Sequence, residues 1–255
     1  MTYAVMQTKS EPPSTEQLTK AFQQVPGLTA LDASVLGRDA CGVLVKGFEL
    51  ERASTMQTAL AAQGVETEVV EEPALTELPP ARQLSKVEFT PEALRIEDFL
   101  GRSFLLEWNT LLVIAAGRAR LTEFKTNLVD KVVTTPARDY MPKVVVKAVT
   151  TEEQNDHLLL EIMTRGVALR YHAMADQLEA RLLFQCLGER RGNDPAANLT
   201  LFVRELSQYA PEANFNRGAA AMREESNPPF LYLTRTAFYR EITWLLWMVS
   251  SGRLR

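Results

Sequence analysis

Two cysteines and two histidines in 255 residues exclude much chemistry at the outset. Cys41 and Cys186 lie far apart with no CxxC, so neither a disulfide framework nor a cysteine zinc site is expected. No GxSxG, HExxH or phosphate-loop glycine pattern occurs, and no paired catalytic groups stand out. The first residues, MTYAVMQTKSEPP, lack a basic stretch followed by an apolar core, so no signal peptide is expected. The longest late apolar run, Ile242–Val249, is broken by Thr243 and is too short to span a bilayer. A cytoplasmic location is the resulting expectation. The formal net charge of −4 gives no global pull toward nucleic acid or an anionic membrane.

What is present is uneven charge and ordinary globular hydrophobicity. Residues 1–80 carry 5 Lys+Arg against 11 Asp+Glu, whereas 81–150 carry 11 against 8. The first stretch is acidic and the second mildly basic. Length suggests one large domain or two small ones.

Within residues 1–72, Tyr3–Gln7 is expected as a strand. Ser14 with Gln17 makes a capping box for a helix bearing Leu18, Phe22 and Val25 on one face. Leu31–Val35 and Gly42–Lys46 read as two strands, Leu50–Gln63 as a helix ended by Gly64, and Val65–Val70 as a half-buried strand. The order β-α-β-β-α-β is the ferredoxin-like arrangement. RNA binding on its sheet is not expected, because Glu66 and Glu68 occupy the last strand and GVLVKG has no aromatic residue. A metal-carrier role is not expected either, since the first loop, TKSEPPS, holds no cysteine. Residues 73–84, with three prolines between Glu71 and Leu84, read as a linker.

Residues 85–210 are strand-rich. Lys86–Phe89, Leu94–Phe99, Phe104–Trp108, Leu111–Ala116 and Arg118–Leu121 are short apolar runs separated by turn residues. His157–Met163 and Val167–His172 suggest a hairpin, and Leu182–Leu187 is either a further strand or a helical turn. Asp194 as N-cap, Pro195 at the first position and Pro211 beyond the end bound a helix carrying Leu199, Phe202, Leu206 and Tyr209. Between these parts, residues 122–156 form a long insertion, in which Val144–Val149 is a candidate edge strand. Lys125, Lys131, Arg138, Lys143 and Lys147 outnumber Asp130 and Asp139 there, which fits a solvated loop or an arm for an anionic partner.

The run FTPEALRIEDFLGRSFLLEW followed by LLVIAAG resembles the opening of bacterial pleckstrin-homology-like domains. That resemblance implies an antiparallel β-barrel closed by one amphipathic helix, serving binding or scaffolding rather than catalysis. The segments LGER…N…NRGA and WLLW resemble an uncharacterised bacterial protein class and imply no activity.

Residues 211–255 read as a helical tail. Thr234 or Thr236 starts its last helix, with Phe238, Ile242, Leu245 and Val249 in register and Trp244, Trp247 and Met248 on other faces. These last three suit either internal packing or a partner or dimer interface. The candidate ligand-binding residues are Arg190 and Arg191, ahead of a helix start that favours anions, together with His172. No catalytic residue, resident metal or cofactor is assigned, although His157 beside Glu152, Glu153 and Asp156 is an acidic cluster to inspect. The expected whole is an α+β protein of unknown function: a ferredoxin-like module, a pleckstrin-homology-like barrel and a helical tail. Its leading role is non-catalytic protein binding, self-association or scaffolding. Its alternatives are a small anionic ligand or enzyme site in the cleft between modules, or a membrane surface. Nucleic acid is not expected.

Overall fold

A computed structural model describes residues 1–39, 41–98, 100–133, 143–225 and 230–254. Phe99 at the end of one expected strand, Arg138 and Asp139 in the insertion, and Ser226–Pro229 lie outside the described residues. The architecture mixes helices with several antiparallel sheets, and no barrel closes among the described residues.

The chain opens with β1 (Tyr3–Gln7), α1 (Thr15–Phe22), α2 (Ala30–Asp39), β2 (Val43–Phe48), α3 (Leu50–Ala61) and β3 (Thr67–Glu71). The three strands form one antiparallel sheet in the order β2-β1-β3. Both halves of the Ser14–Gln17 capping box are made, and α1 buries Leu18, Ala21 and Phe22 against Met56 and Leu60 of α3. One expected strand is absent: Leu31–Val35 belongs to α2. Thr29 and Asp32 bond reciprocally, with Asp32 accepting from the Thr29 N–H at 2.6 Å and hydroxyl at 2.9 Å. That is a helix-start signature. Leu31 and Val35, four residues apart, lie exposed on its outer face while Ala33 points inward. The module therefore has three strands where four were expected.

A two-residue strand, β4 (Arg82–Gln83), leads to a meander of β5 (Lys86–Phe89), β6 (Ala93–Glu97) and β7 (Ser103–Glu107). The main sheet then follows, with β8 (Leu111–Val133), β9 (Lys143–Thr164), β10 (Arg170–Met174), α4 (Pro195–Tyr209), β11 (Asn214–Phe215), α5 (Arg217–Arg223), β12 (Leu231–Tyr232) and α6 (Arg235–Ser250). Its order is β11-β8-β9-β10-β4, with β12 also on β8. The inner halves of β8 and β9 are buried on both faces. Ile114, Ala116, Leu160 and Ile162 face Phe202 and Leu206 of α4. Their alternates Val113, Ala115, Leu159 and Met163 face Phe238, Ile242 and Leu245 of α6. Two-sided burial explains why LLVIAA and LLLEIM read as continuous apolar runs rather than alternating ones. Leu182–Leu187 is not a strand but falls in 3-10 turns spanning Leu178–Arg181 and Leu183–Arg190.

Residues 122–133 and 143–156 of the insertion are not a loop. β8 and β9 continue through it as a two-stranded ribbon, paired without a register shift from Val113↔Met163 to Val133↔Lys143. Val144–Val149 lies inside β9 and pairs with β8, so it adds no separate edge strand. Beyond Ala119 no third strand joins among the described residues. The twelve residues past Leu121 extend the ribbon by about 40 Å at ~3.3 Å per residue.

Helix α6 joins the two halves of the chain. Thr234 caps it, accepting from the Ala237 N–H at 3.0 Å. Trp244 donates from its indole to the Gln7 carbonyl at 2.6 Å and packs on Gly42. Gly42 has φ +81°, and a Cβ there would overlap the Trp244 side chain. Gly47 has a similar φ of +79° but faces open space. Gly42→Ala should therefore cost about 3 kcal/mol or more, through strain plus overpacking. Gly47→Ala should cost only about 1–2 kcal/mol of left-handed strain. Urea unfolding of the two variants checks the difference.

Candidate functional site

Four polar constellations stand out as candidate sites. The first surrounds Glu161, which is wholly buried in β9 opposite His172 of β10. Its carboxylate accepts from Arg170 Nε at 2.8 Å and Nη2 at 2.9 Å, from His172 Nδ1 at 2.9 Å and from the Tyr239 hydroxyl at 2.7 Å. Burial alone would push the Glu161 carboxyl up, but the bonds from Arg170, His172 and Tyr239 hold it below the ordinary value of 4.5. Burial, and then the same carboxylate, raises the Tyr239 phenol. Arg170 Nη2, His172 and Tyr239 converge on Oε1 while Arg170 Nε takes Oε2, so both oxygens are engaged. Glu161 is therefore no free base, and His172 is committed to it. The cluster ties β9, β10 and α6 together.

The second constellation is built by the NRGA segment. Asn216 accepts from the Ala116 N–H at 3.0 Å and the Ala219 N–H at 2.9 Å, and donates to the Tyr232 hydroxyl at 2.8 Å. Tyr232 donates to Glu241 at 2.8 Å, which also accepts from the Arg217 N–H at 2.7 Å and from its Nε at 3.1 Å. Apart from the Asn216–Ala219 bond, which caps α5, every bond runs between elements, so this too is a joint, fixing α5 and β12 to β8 and α6. Burial, with Glu241 nearby, pushes the Cys41 thiol up to about 12. Burial does the same to Cys186, also to about 12. Neither thiol is an activated nucleophile.

The third sits at the root of the ribbon. His157 Nδ1 meets Asp176 at 2.8 Å, and its Nε2 lies 3.1 Å from Glu123, an ion-pair distance rather than an aligned hydrogen bond. Asp156 takes Arg120 instead, at 3.0 Å. The carboxylates around His157 are thus Asp176 and Glu123, not the neighbouring Glu152, Glu153 and Asp156. Among the described residues no group of three or more His, Cys, Asp or Glu side chains is disposed to hold a metal.

The fourth is a cleft of about 550 Å³ between the 3-10 turns and the start of α4. Arg181, Arg191, Asn193 and Asn198 line it, with Leu178 and Phe184 as its apolar wall. Asn198 closes the RGND loop, accepting from the Gly192 N–H at 2.8 Å and donating to its carbonyl at 2.9 Å. Of the three residues expected at a ligand site, only Arg191 lines this cleft. Arg190 turns away to pair with Glu205, and His172 sits in the Glu161 cluster. Arg181 was not foreseen, because its place depends on the 3-10 turns that bring it back toward Arg191. The other sequence candidates, Trp244, Trp247 and Met248, are buried at 3%, 6% and 4% exposure within the chain, alongside residues of the N-terminal module.

Compared with known proteins, the chain matches no family model, no curated protein and no solved structure. Among the described residues no helix is long and apolar enough to cross a membrane.

Glu161→Gln should cost about 3–5 kcal/mol, because it strips a buried cation of its partner. Glu161 has a folded pKa below its unfolded one, so its contribution is present above pH 4.5 and is lost as pH falls through the lower folded value. The parent should therefore lose stability more steeply below that pH than the Gln variant. Denaturant midpoints measured from pH 6 to pH 3 check both statements.

Proposed function

We propose that this chain is a non-catalytic module that binds a protein partner or scaffolds an assembly, with the β8–β9 ribbon as its reaching element. The ribbon carries this reading. It projects far beyond the packed core, and its two outer edges pair with no other strand of the chain among the described residues. Unpaired edges are templates for strand addition from another chain. Residues 125–149 hold 5 Lys+Arg against 2 Asp+Glu, so the partner that suits them is acidic. The commitment of Glu161, His172, Glu241 and the two thiols to internal contacts favours binding over catalysis.

The proposal extends to ancestry. A pleckstrin-homology-like origin for residues 85–210 is supported by the antiparallel meander, the main sheet and the single long helix α4 packed on it. It has to accommodate an open sheet where a barrel is the rule. A ferredoxin-like origin for residues 1–72 has to accommodate a three-stranded sheet.

Replacing residues 125–151 by Asn-Gly would join the paired residues Phe124 and Glu152 by a two-residue turn and keep Glu123 on His157. The shortened chain should unfold at the parent's denaturant midpoint. Crosslinked capture from the source cell should then return a set of proteins held by the parent and lost by the shortened chain. Capture by the parent should weaken between about 50 mM and 500 mM salt, as screening shortens. Identical captured sets for both chains would remove the ribbon from the proposal.

A further inference from the structure

We propose that the Arg181–Arg191 cleft binds a small phosphate- or carboxylate-bearing molecule whose apolar part lies against Leu178 and Phe184. This site is separate from the ribbon, so the two proposals stand or fall independently.

The argument begins with uncommitted charge. In the same body Arg165, Arg170, Arg190, Arg204, Arg217 and Arg223 each pair with a carboxylate. The guanidiniums of Arg181 and Arg191 have no ion-pair or hydrogen-bond partner among the described residues, yet both residues line one concave space. Two guanidiniums there offer forked donors that suit a carboxylate or phosphate. The cleft's volume of about 550 Å³ fits a small ligand, since such pockets run roughly 300–1,000 Å³.

The end of α4 is not what sets the preference. Its N-cap Asp194 already accepts from the Ala196 N–H at 3.0 Å, and Pro195 has no N–H. Among the described residues the one carboxylate on the wall is Asp176, engaged by His157 and by the Leu158 N–H, each at 2.8 Å. Two cations against one engaged carboxylate leave the space net positive. Leu178, 67% exposed, is a large apolar side chain left open at that margin. Charge beside an open apolar surface selects an amphiphilic anion over a bare one.

The test uses the full chain, with phenyl phosphate and inorganic phosphate as probes in isothermal titration calorimetry. Phenyl phosphate should bind more tightly than inorganic phosphate. Arg191→Ala and Arg181→Ala should each weaken it at least tenfold, while Arg190→Gln leaves it within twofold. Leu178→Ser should narrow the gap between the two probes. Circular dichroism on each variant separates loss of binding from loss of fold. No heat with either probe at 10 mM would overturn the site, as would equal losses from Arg190→Gln and Arg191→Ala. Sedimentation with phosphatidic acid vesicles, without binding of free phenyl phosphate, would overturn the small-molecule reading in favour of a membrane surface.

Discussion

The structure depends on burying the β8–β9 pair from both sides. Neither face of these strands is polar between Val113 and Ala116 or between Leu158 and Leu160, so neither can be left to water. Helix α4 covers one face and α6 the other. Every remaining element is placed by this arrangement. The meander β5–β7 fills the α4 side, where Phe89, Trp108 and Tyr209 stack, while the N-terminal sheet fills the α6 side through Met6, Cys41 and Val43. Burying large aromatic side chains at these seams contributes roughly 25 cal/mol for each Å² removed from water.

A doubly covered sheet gains stability from apolar area but little from direction, since apolar contacts do not specify one helix register over the next. The buried polar joints supply direction. Glu161 reaches from β9 through Tyr239 to α6, and Glu241 reaches from α6 through Tyr232 and Arg217 to β12 and α5. Each carboxylate is expensive to desolvate, and the cost is offset only when every donor is in place. A one-residue slip of α6 would break both sets together. Gly117 and Gly218 reflect the same demand, because a Cβ at Gly117 would collide with the Tyr232 ring and one at Gly218 with the Ala116 carbonyl.

Where local signals were self-contained, the sequence could be read. The Ser14–Gln17 box, the Asp194–Pro195 start, Thr234 as a cap and the meander around Gly101 all lie within a few residues of one another, and all appear where expected. What was not legible depends on partners far along the chain. Leu31–Val35 is the local exception, read as a strand because its apolar content outweighed the short Thr29–Asp32 cap. Glu161 looked like one polar interruption in an apolar run, and only the pairing of β9 with β10 puts His172 and Arg170 beside it. Arg181 carries no sequence signal for the cleft until the 3-10 turns fold it back.

The ribbon is the least legible part and the most consequential. Residues 122–156 have almost no alternation to mark a buried face, and past Leu121 no third strand joins the ribbon among the described residues. Register there is held by continuity with the doubly buried half of the same strands, which fixes Leu121 opposite Asn155 and so every pair beyond. A two-stranded ribbon gains little in water from its own cross-strand contacts. Its root is tied to the body instead, through Asp176, which meets His157 Nδ1 and accepts from the Leu158 N–H, each at 2.8 Å. Among the described residues no neighbouring strand covers the outer edges of the ribbon, and an uncovered edge is a template for strand addition.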